Sequence, residues 1–410
     1  MDSITQIVLG AAVGEVVMGK KLGNRAMVWG AIAGTIPDLD VLANFVVDDI
    51  TALAFHRAIS HSFFFAITAP ALLAYFAAKF YQSGGHQNPT YKWLAASVWV
   101  FAAGAIMLGI NYLIYSNTGE INNWTMGGMI LAVVAFIIYL QRNYLDRQLE
   151  YIDISWRDWY WLFFWSIFTH PLLDSCTTYG TQLFQPFSDY RVAFNNVSVA
   201  DPAYTVPFLI CLLIARFLSR GSRARNWVNW AGIIISSLYL VWTVYNKLTV
   251  NAVFEKSMAK EGIVYSRYTT SPTIFNNFLW TCTAEGEEEF YQAFYSILDA
   301  KPEVKTFNVI PKNHYLVEDY QSMEDFKTLR WFSKDYYSIL VRSDGLLQYN
   351  DLRFGIANIE AKGNESDYIF GFILRDDENG VLIVEEDRSA REEDMSSRFG
   401  DLIKRMKGIK

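Results

Sequence analysis

The chain has 410 residues, 52% of them hydrophobic, with a mean hydropathy of +0.13 and a formal net charge of −7. That length allows more than one domain, and the acidic balance argues against a nucleic-acid surface. Three cysteines (Cys176, Cys211 and Cys282) are too few for a disulfide framework and are read as free thiols.

The averages conceal two unlike halves. Apolar runs dominate from Ser3 to about Asn246, whereas residues 247–410 carry charged runs such as EGEEEF and RDDENG. The expected organisation is an all-α polytopic membrane domain over 1–246, followed by a soluble extracytoplasmic α+β domain over 247–410. No cleavable leader is expected, because the N-terminus lacks a basic region ahead of its apolar run.

A bilayer core needs about 20 mostly apolar residues per helix. Eight stretches qualify as spans, some of them short enough to be re-entrant: roughly 3–18, 26–46, 61–80, 93–115, 125–140, 158–174, 203–219 and 227–246. Alternate connections hold Lys20, Lys21, Arg25, Lys79, Lys92, Arg142, Arg147, Arg157, Arg216, Arg220, Arg223 and Arg225. The opposite set holds only Arg57 and Arg191. By the positive-inside rule the first set is cytoplasmic, which sends both the N-terminus and the C-terminal domain outward.

Three polar clusters interrupt this apolar text. They are Pro37-Asp38-Leu39-Asp40 after the second span, His56 to Ser62 before the third, and His170-Pro171-Leu172-Leu173-Asp174 ending the sixth. Ionisable groups at membrane depth are costly and mark function. The topology, drawn from Lys and Arg alone, brings all three clusters to the outer face. His170 and Asp174 are four apart, so they share one face of a helix.

Together Asp38, Asp40, His56, His61, His170 and Asp174 offer three imidazoles and three carboxylates. Such a set suits one or two divalent ions, zinc, manganese or ferrous iron, with open positions for water. Arg57 and Arg191 are the cations placed to meet an anionic substrate. Each residue also has a structural reading: a hydrogen-bonded interfacial histidine, a turn-forming Asp after proline, or Asp174 paired with Arg57 or Arg191. His86 and His314 read as surface residues.

The order and spacing of MDSITQIVLGAAVGE, TIPDLDVL, HRAISHS and THPLLDSCTTYGTQLFQPFSDYR resemble the YdjM-like family of bacterial inner-membrane, metal-dependent hydrolases, over roughly residues 1–220. That resemblance implies a remote likeness to zinc-dependent phospholipase C. It also implies that the same six His and Asp positions are ligands and that Thr178, Gly180, Pro186 and Arg191 belong to the stretch that follows. Some members have His where this chain has Gln6, which bears on how much metal is held here.

Residues 175–202 are too polar to span. They read either as a cover over the site or as an interfacial loop anchored by Phe184, Phe187 and Tyr190. Beyond Asn246 seven strand-like runs follow, with turns at EGEE and DENG and an amphipathic helix over 388–407. An antiparallel sheet with flanking helices and no catalytic motif is expected there. The functions in play are a metal-dependent hydrolase acting on a phosphoester of a lipid or lipid-linked substrate in the bilayer, a divalent-cation transporter, and a non-catalytic membrane scaffold.

Overall fold

The computed structural model describes residues 1–118, 123–147, 153–356, 363–376, 381–387 and 395–408. A helical N-terminal region leads into a C-terminal region built on two antiparallel sheets.

Helix α1 (Ser3–Leu22) starts where the Asp2 carboxylate accepts from the Thr5 N–H, capping the first turn. Helix α2 (Asn24–Thr35) folds back against it after Gly23. The two meet backbone to backbone. A Cβ on Gly10 would fall 2.4 Å from the Gly30 carbonyl oxygen, and one on Gly14 would fall 2.3 Å from that of Ala26. Small residues allow this approach because hydrocarbon surroundings leave packing itself as the main attraction between helices. At Pro37 the chain bends by 47° into a 3₁₀ segment (Pro37–Phe45).

The short α3 (Asp49–Phe55) is capped by Asp48, and α4 (Phe63–Gln82), α5 (Pro89–Thr118) and α6 (Asn123–Leu140) follow. Next come α7 (Trp156–Asp174), α8 (Pro202–Phe217) and the 39-residue α9 (Arg223–Glu261). By length and apolar content, α4, α5, the Thr125–Leu145 stretch begun by α6, and α9 are candidate spans. The bent pair of α2 and the 3₁₀ segment makes a fifth. Three expected spans fall outside that test. Helix α1 carries Glu15, Lys20 and Lys21, α7 begins with Arg157 and Asp158, and α8 has only 16 residues.

The first sheet runs β1 (Arg267–Pro272), β2 (Leu279–Glu285), β3 (Glu289–Ser296) and β4 (Asn308–Pro311). The second runs β5 (Tyr337–Val341), β6 (Leu347–Asp351), β7 (Gly371–Asp376) and β8 (Leu382–Asp387). Both are plain antiparallel meanders. β4 is not among the seven runs read from sequence, being four residues long. The expected DENG turn lies outside the described residues, and the terminal helix is described over Met395–Met406 (α11).

The C-terminal half of α9 packs Val250, Phe254 and Met258 on Trp280, Cys282 and Ala293 of the first sheet. The expected domain boundary at 246 therefore falls inside one continuous helix. The second sheet has α10 (Glu324–Ser333) over it, and Ile50 and Leu53 of α3 enter the same core, beside Phe326, Phe332, Tyr337 and Tyr349. The chain separates into two compact units, one of Met1–Pro70 with Trp161–Lys410 and one of Ala71–Tyr160. In the second unit His86 is buried rather than exposed, stacked on Tyr81 at 4.6 Å. His314 is half-buried and stacked on Tyr337 at 4.0 Å.

Candidate metal centre

Three elements of the first unit bring four side chains to one point. The 3₁₀ segment brings Asp38, the turn before α4 brings His61, and the last turn of α7 brings His170 and Asp174. The glycine-mediated crossing of α1 and α2 has a direct part in this. It sets the Gly34 carbonyl 2.6 Å from Nδ1 of His170.

One ligand atom from each of the four residues lies within 4.8 Å of the others. Nε2 of His170 is 3.1 Å from Nε2 of His61, 3.4 Å from Oδ1 of Asp38 and 3.5 Å from Oδ2 of Asp174. Nε2 of His61 is 3.6 Å from the same Asp38 oxygen and 3.3 Å from the same Asp174 oxygen. A tetrahedral ion with bonds of about 2.0–2.1 Å sets its ligand atoms about 3.3–3.4 Å apart. The five separations just given, 3.1–3.6 Å, lie near that value.

The hydrogen bonds at the back of each ring support the same fit. Gly34 offers only a carbonyl to Nδ1 of His170, so that nitrogen carries the proton. Nδ1 of His61 lies 3.0 Å from the Ser60 hydroxyl, whose proton goes to Asp40, and 3.3 Å from the Asp40 carboxylate, which only accepts. In neutral rings both Nε2 atoms are then lone-pair donors aimed at each other and at two carboxylate oxygens. Four converging acceptors repel unless positive charge balances them, and buried Oδ2 of Asp174 makes no hydrogen bond, only an ion pair with Arg57. His61, His170 and Asp174 have fully buried side chains, and Asp38 alone is open, at 18%.

The other two members of the expected set lie beside this group. Asp40 accepts from Nδ1 of His56 at 2.9 Å on one oxygen. Its second oxygen accepts from the Arg57 N–H at 2.8 Å and the Ser60 hydroxyl at 3.1 Å. His56 is 28% exposed at its side chain and meets the Tyr179 ring edge-on at 5.1 Å. Burial holds its imidazole below the ordinary value, against the opposing pull of Asp40.

Arg57 sits at φ 59°, left-handed for a residue with a side chain. Its N–H on Asp40 and its carbonyl, which accepts from Gln182, fix that conformation from both sides. The guanidinium places Nε 3.1 Å from Oδ2 of Asp174 and donates from Nη1 to Thr177. Arg191 is buried and spends itself on backbone: it donates to the Leu53 and His56 carbonyls and covers Tyr179, Trp331 and Phe332. Burial lowers its guanidinium to about 10, so it stays charged at neutral pH. Arg191 thus braces the loop that carries His56, whereas Arg57 touches a member of the converging group.

Residues 175–202 pack onto that loop. Thr181 bridges to Val192, the Gln182 side chain donates to the Ala54 carbonyl, and the Leu183 carbonyl accepts from Phe63. Phe184, Phe187 and Tyr190 remain exposed. Of the stretch following Asp174, Thr178, Gly180 and Pro186 make no contact with the four converging atoms in the geometry above; Gly180 serves as a left-handed turn at φ 75°.

Several residues outside the expected ligand set contribute. Gln6 donates to Oδ1 of Asp174 at 2.8 Å, and the amino group of Met1 pairs with the same oxygen. Thr177, Tyr179 and Ser60 complete the surroundings. Ser60 lies within the HRAISHS run, and Thr177 and Tyr179 within the run that begins THPLLDSCTTYG, so their neighbours advertised them; the Met1 amino group carries no such signal.

Residues 1–114 and 125–250 match the model of the YdjM inner membrane protein family. The chain belongs to that family. Every residue of the site lies inside the YdjM match, whereas both sheets lie beyond its end at residue 250. No curated protein and no solved structure matches the chain.

Proposed function

We propose that this YdjM-family chain is a membrane-embedded, metal-dependent hydrolase that cleaves a phosphoester of a lipid or lipid-linked substrate at the outer face of the bacterial inner membrane. The convergence of Asp38, His61, His170 and Asp174 at the spacing of one tetrahedral ion carries the reading. A divalent ion there, most simply zinc, would supply Lewis acidity and a water of lowered pKa. Arg57, anchored on Asp174 and Thr177, provides positive charge beside the group for an anionic substrate.

The surroundings favour an amphiphile. Asp38 is the open member of the four, and it sits on a segment whose exposed side chains are Leu39, Val41, Leu42, Asn44 and Phe45, four of them apolar. Whatever reaches the centre from that side passes over apolar surface. Cation asymmetry of the connections supports an outward-facing site and an outward C-terminal region.

Metal content by mass spectrometry tests this, on detergent-purified wild type beside His170→Ala, followed by hydrolysis assays on phospholipids and lipid-linked phosphates. Wild type is expected to retain zinc, manganese or iron and to release phosphate-containing product; the variant is expected to do neither. A wild type that takes up no added metal would leave the scaffold reading standing.

A further inference from the structure

The six acidic and imidazole residues do not behave alike, and the difference lies in what each atom already touches. The Asp40 side chain is 1% exposed and receives four groups: Nδ1 of His56 at 2.9 Å on one oxygen, then Arg57 N–H at 2.8 Å, Ser60 Oγ at 3.1 Å and Nδ1 of His61 at 3.3 Å on the other. One oxygen is thereby filled and the other is turned to His56, and neither belongs to the converging atoms. The carboxylate is instead placed as the outer partner that ligating histidines commonly have, holding the tautomer and orientation of the ring. Asp40 does this directly for His56 and, together with the Ser60 hydroxyl 3.0 Å from Nδ1, for His61; only His61 aims its Nε2 at the converging group.

The second ring, His56, has its Nδ1 spent on Asp40, which leaves Nε2 as its one free nitrogen. The ring is held on two further sides, edge-on to His61 at 6.1 Å between centroids and edge-on to Tyr179 at 5.1 Å. Its backbone carbonyl is tied to Arg191 at 2.6 Å. It is nevertheless more open than any of the four converging side chains, at 28%. So well fixed an imidazole, with one nitrogen unspent at the rim of the site, is built to contact what enters.

We propose that Asp40 and His56 form a carboxylate–imidazole pair outside the coordination sphere, so that the centre holds one ion on Asp38, His61, His170 and Asp174 while His56 Nε2 stays available to the substrate. This rests on the metal reading above and sharpens it from six ligands to four. Asp40 is a positioning residue, acting through His61 and His56.

The experiment is titration of the full-length, detergent-purified, metal-stripped chain with zinc, and separately with cobalt(II), whose visible spectrum reports its ligands. Wild type should bind one equivalent. His56→Ala and His56→Gln should bind one equivalent with unchanged affinity, and the cobalt spectrum of His56→Gln should superimpose on that of wild type. Asp40→Asn should keep the stoichiometry and lose about 10–100-fold in affinity, as loss of an outer partner does, while His61→Ala should bind none. Two equivalents in wild type falling to one in His56→Ala, or a shifted cobalt spectrum in His56→Gln, would overturn the assignment and leave the hydrolase reading intact. A wild type that binds no metal would overturn both.

Discussion

The two compact units treat polarity in opposite ways. In Ala71–Tyr160 the apolar windows of α5 and α6 are 6% and 0% buried, so their side chains face outward, and Leu108 and Leu131 are more than two-thirds exposed. In the unit of Met1–Pro70 with Trp161–Lys410, helices bury Gln6, Glu15, Asp40, Arg57, His61, His170, Asp174 and Arg225. A helix surrounded by hydrocarbon needs only an apolar surface, because its backbone satisfies itself. A helix that carries function must also find a partner for each polar group it hides, and those partners come from distant parts of the chain.

That contrast can be broken by substitution. The largest effect is expected at Arg225, whose guanidinium grips both oxygens of Glu15 at 2.6 Å and also reaches Asn24. Arg225→Leu leaves a buried carboxylate unpaired and should cost about 3–5 kcal/mol, read as a fall in thermal stability in detergent; a double change with Glu15→Leu should recover much of it. Next comes Gly14→Ala in the α1–α2 crossing. Its Cβ would press on the Ala26 and Gly30 backbone of α2, so the helices must part, at a cost of about 1–3 kcal/mol or more. Because Gly34 supports His170, weaker metal retention should accompany the loss of stability.

In the other unit the counterpart of Arg225 is Lys92, whose ammonium donates to the Leu145 and Arg147 carbonyls. Lys92→Met strands those acceptors beside a partly open surface and should cost about 1–3 kcal/mol, with metal content unchanged. Leu131→Ala is expected to be the mildest, within about 0.5 kcal/mol, since a 71% exposed side chain loses little packing. A large effect there would mean that this face is covered by protein rather than lipid, and metal loss from Lys92→Met would join the two units functionally.

Residue types and order alone were enough to mark the apolar helices, the alternation of cations and the three polar clusters. These depend on local hydropathy and on spacing along one helix, as with His170 and Asp174. The antiparallel strands were equally legible apart from the four-residue β4, which is too short for an alternating pattern. Tertiary structure alone separated the six expected ligands into four converging atoms and the Asp40–His56 pair, because that depends on which side chain first satisfies each lone pair. Only the fold could place Arg191 on backbone carbonyls, choose Arg57 over Arg191 as the partner of Asp174, and set Ile50 and Leu53 of α3 within the core of the second sheet. Each of those contacts joins segments more than a hundred residues apart, and no local pattern encodes a partner at that distance.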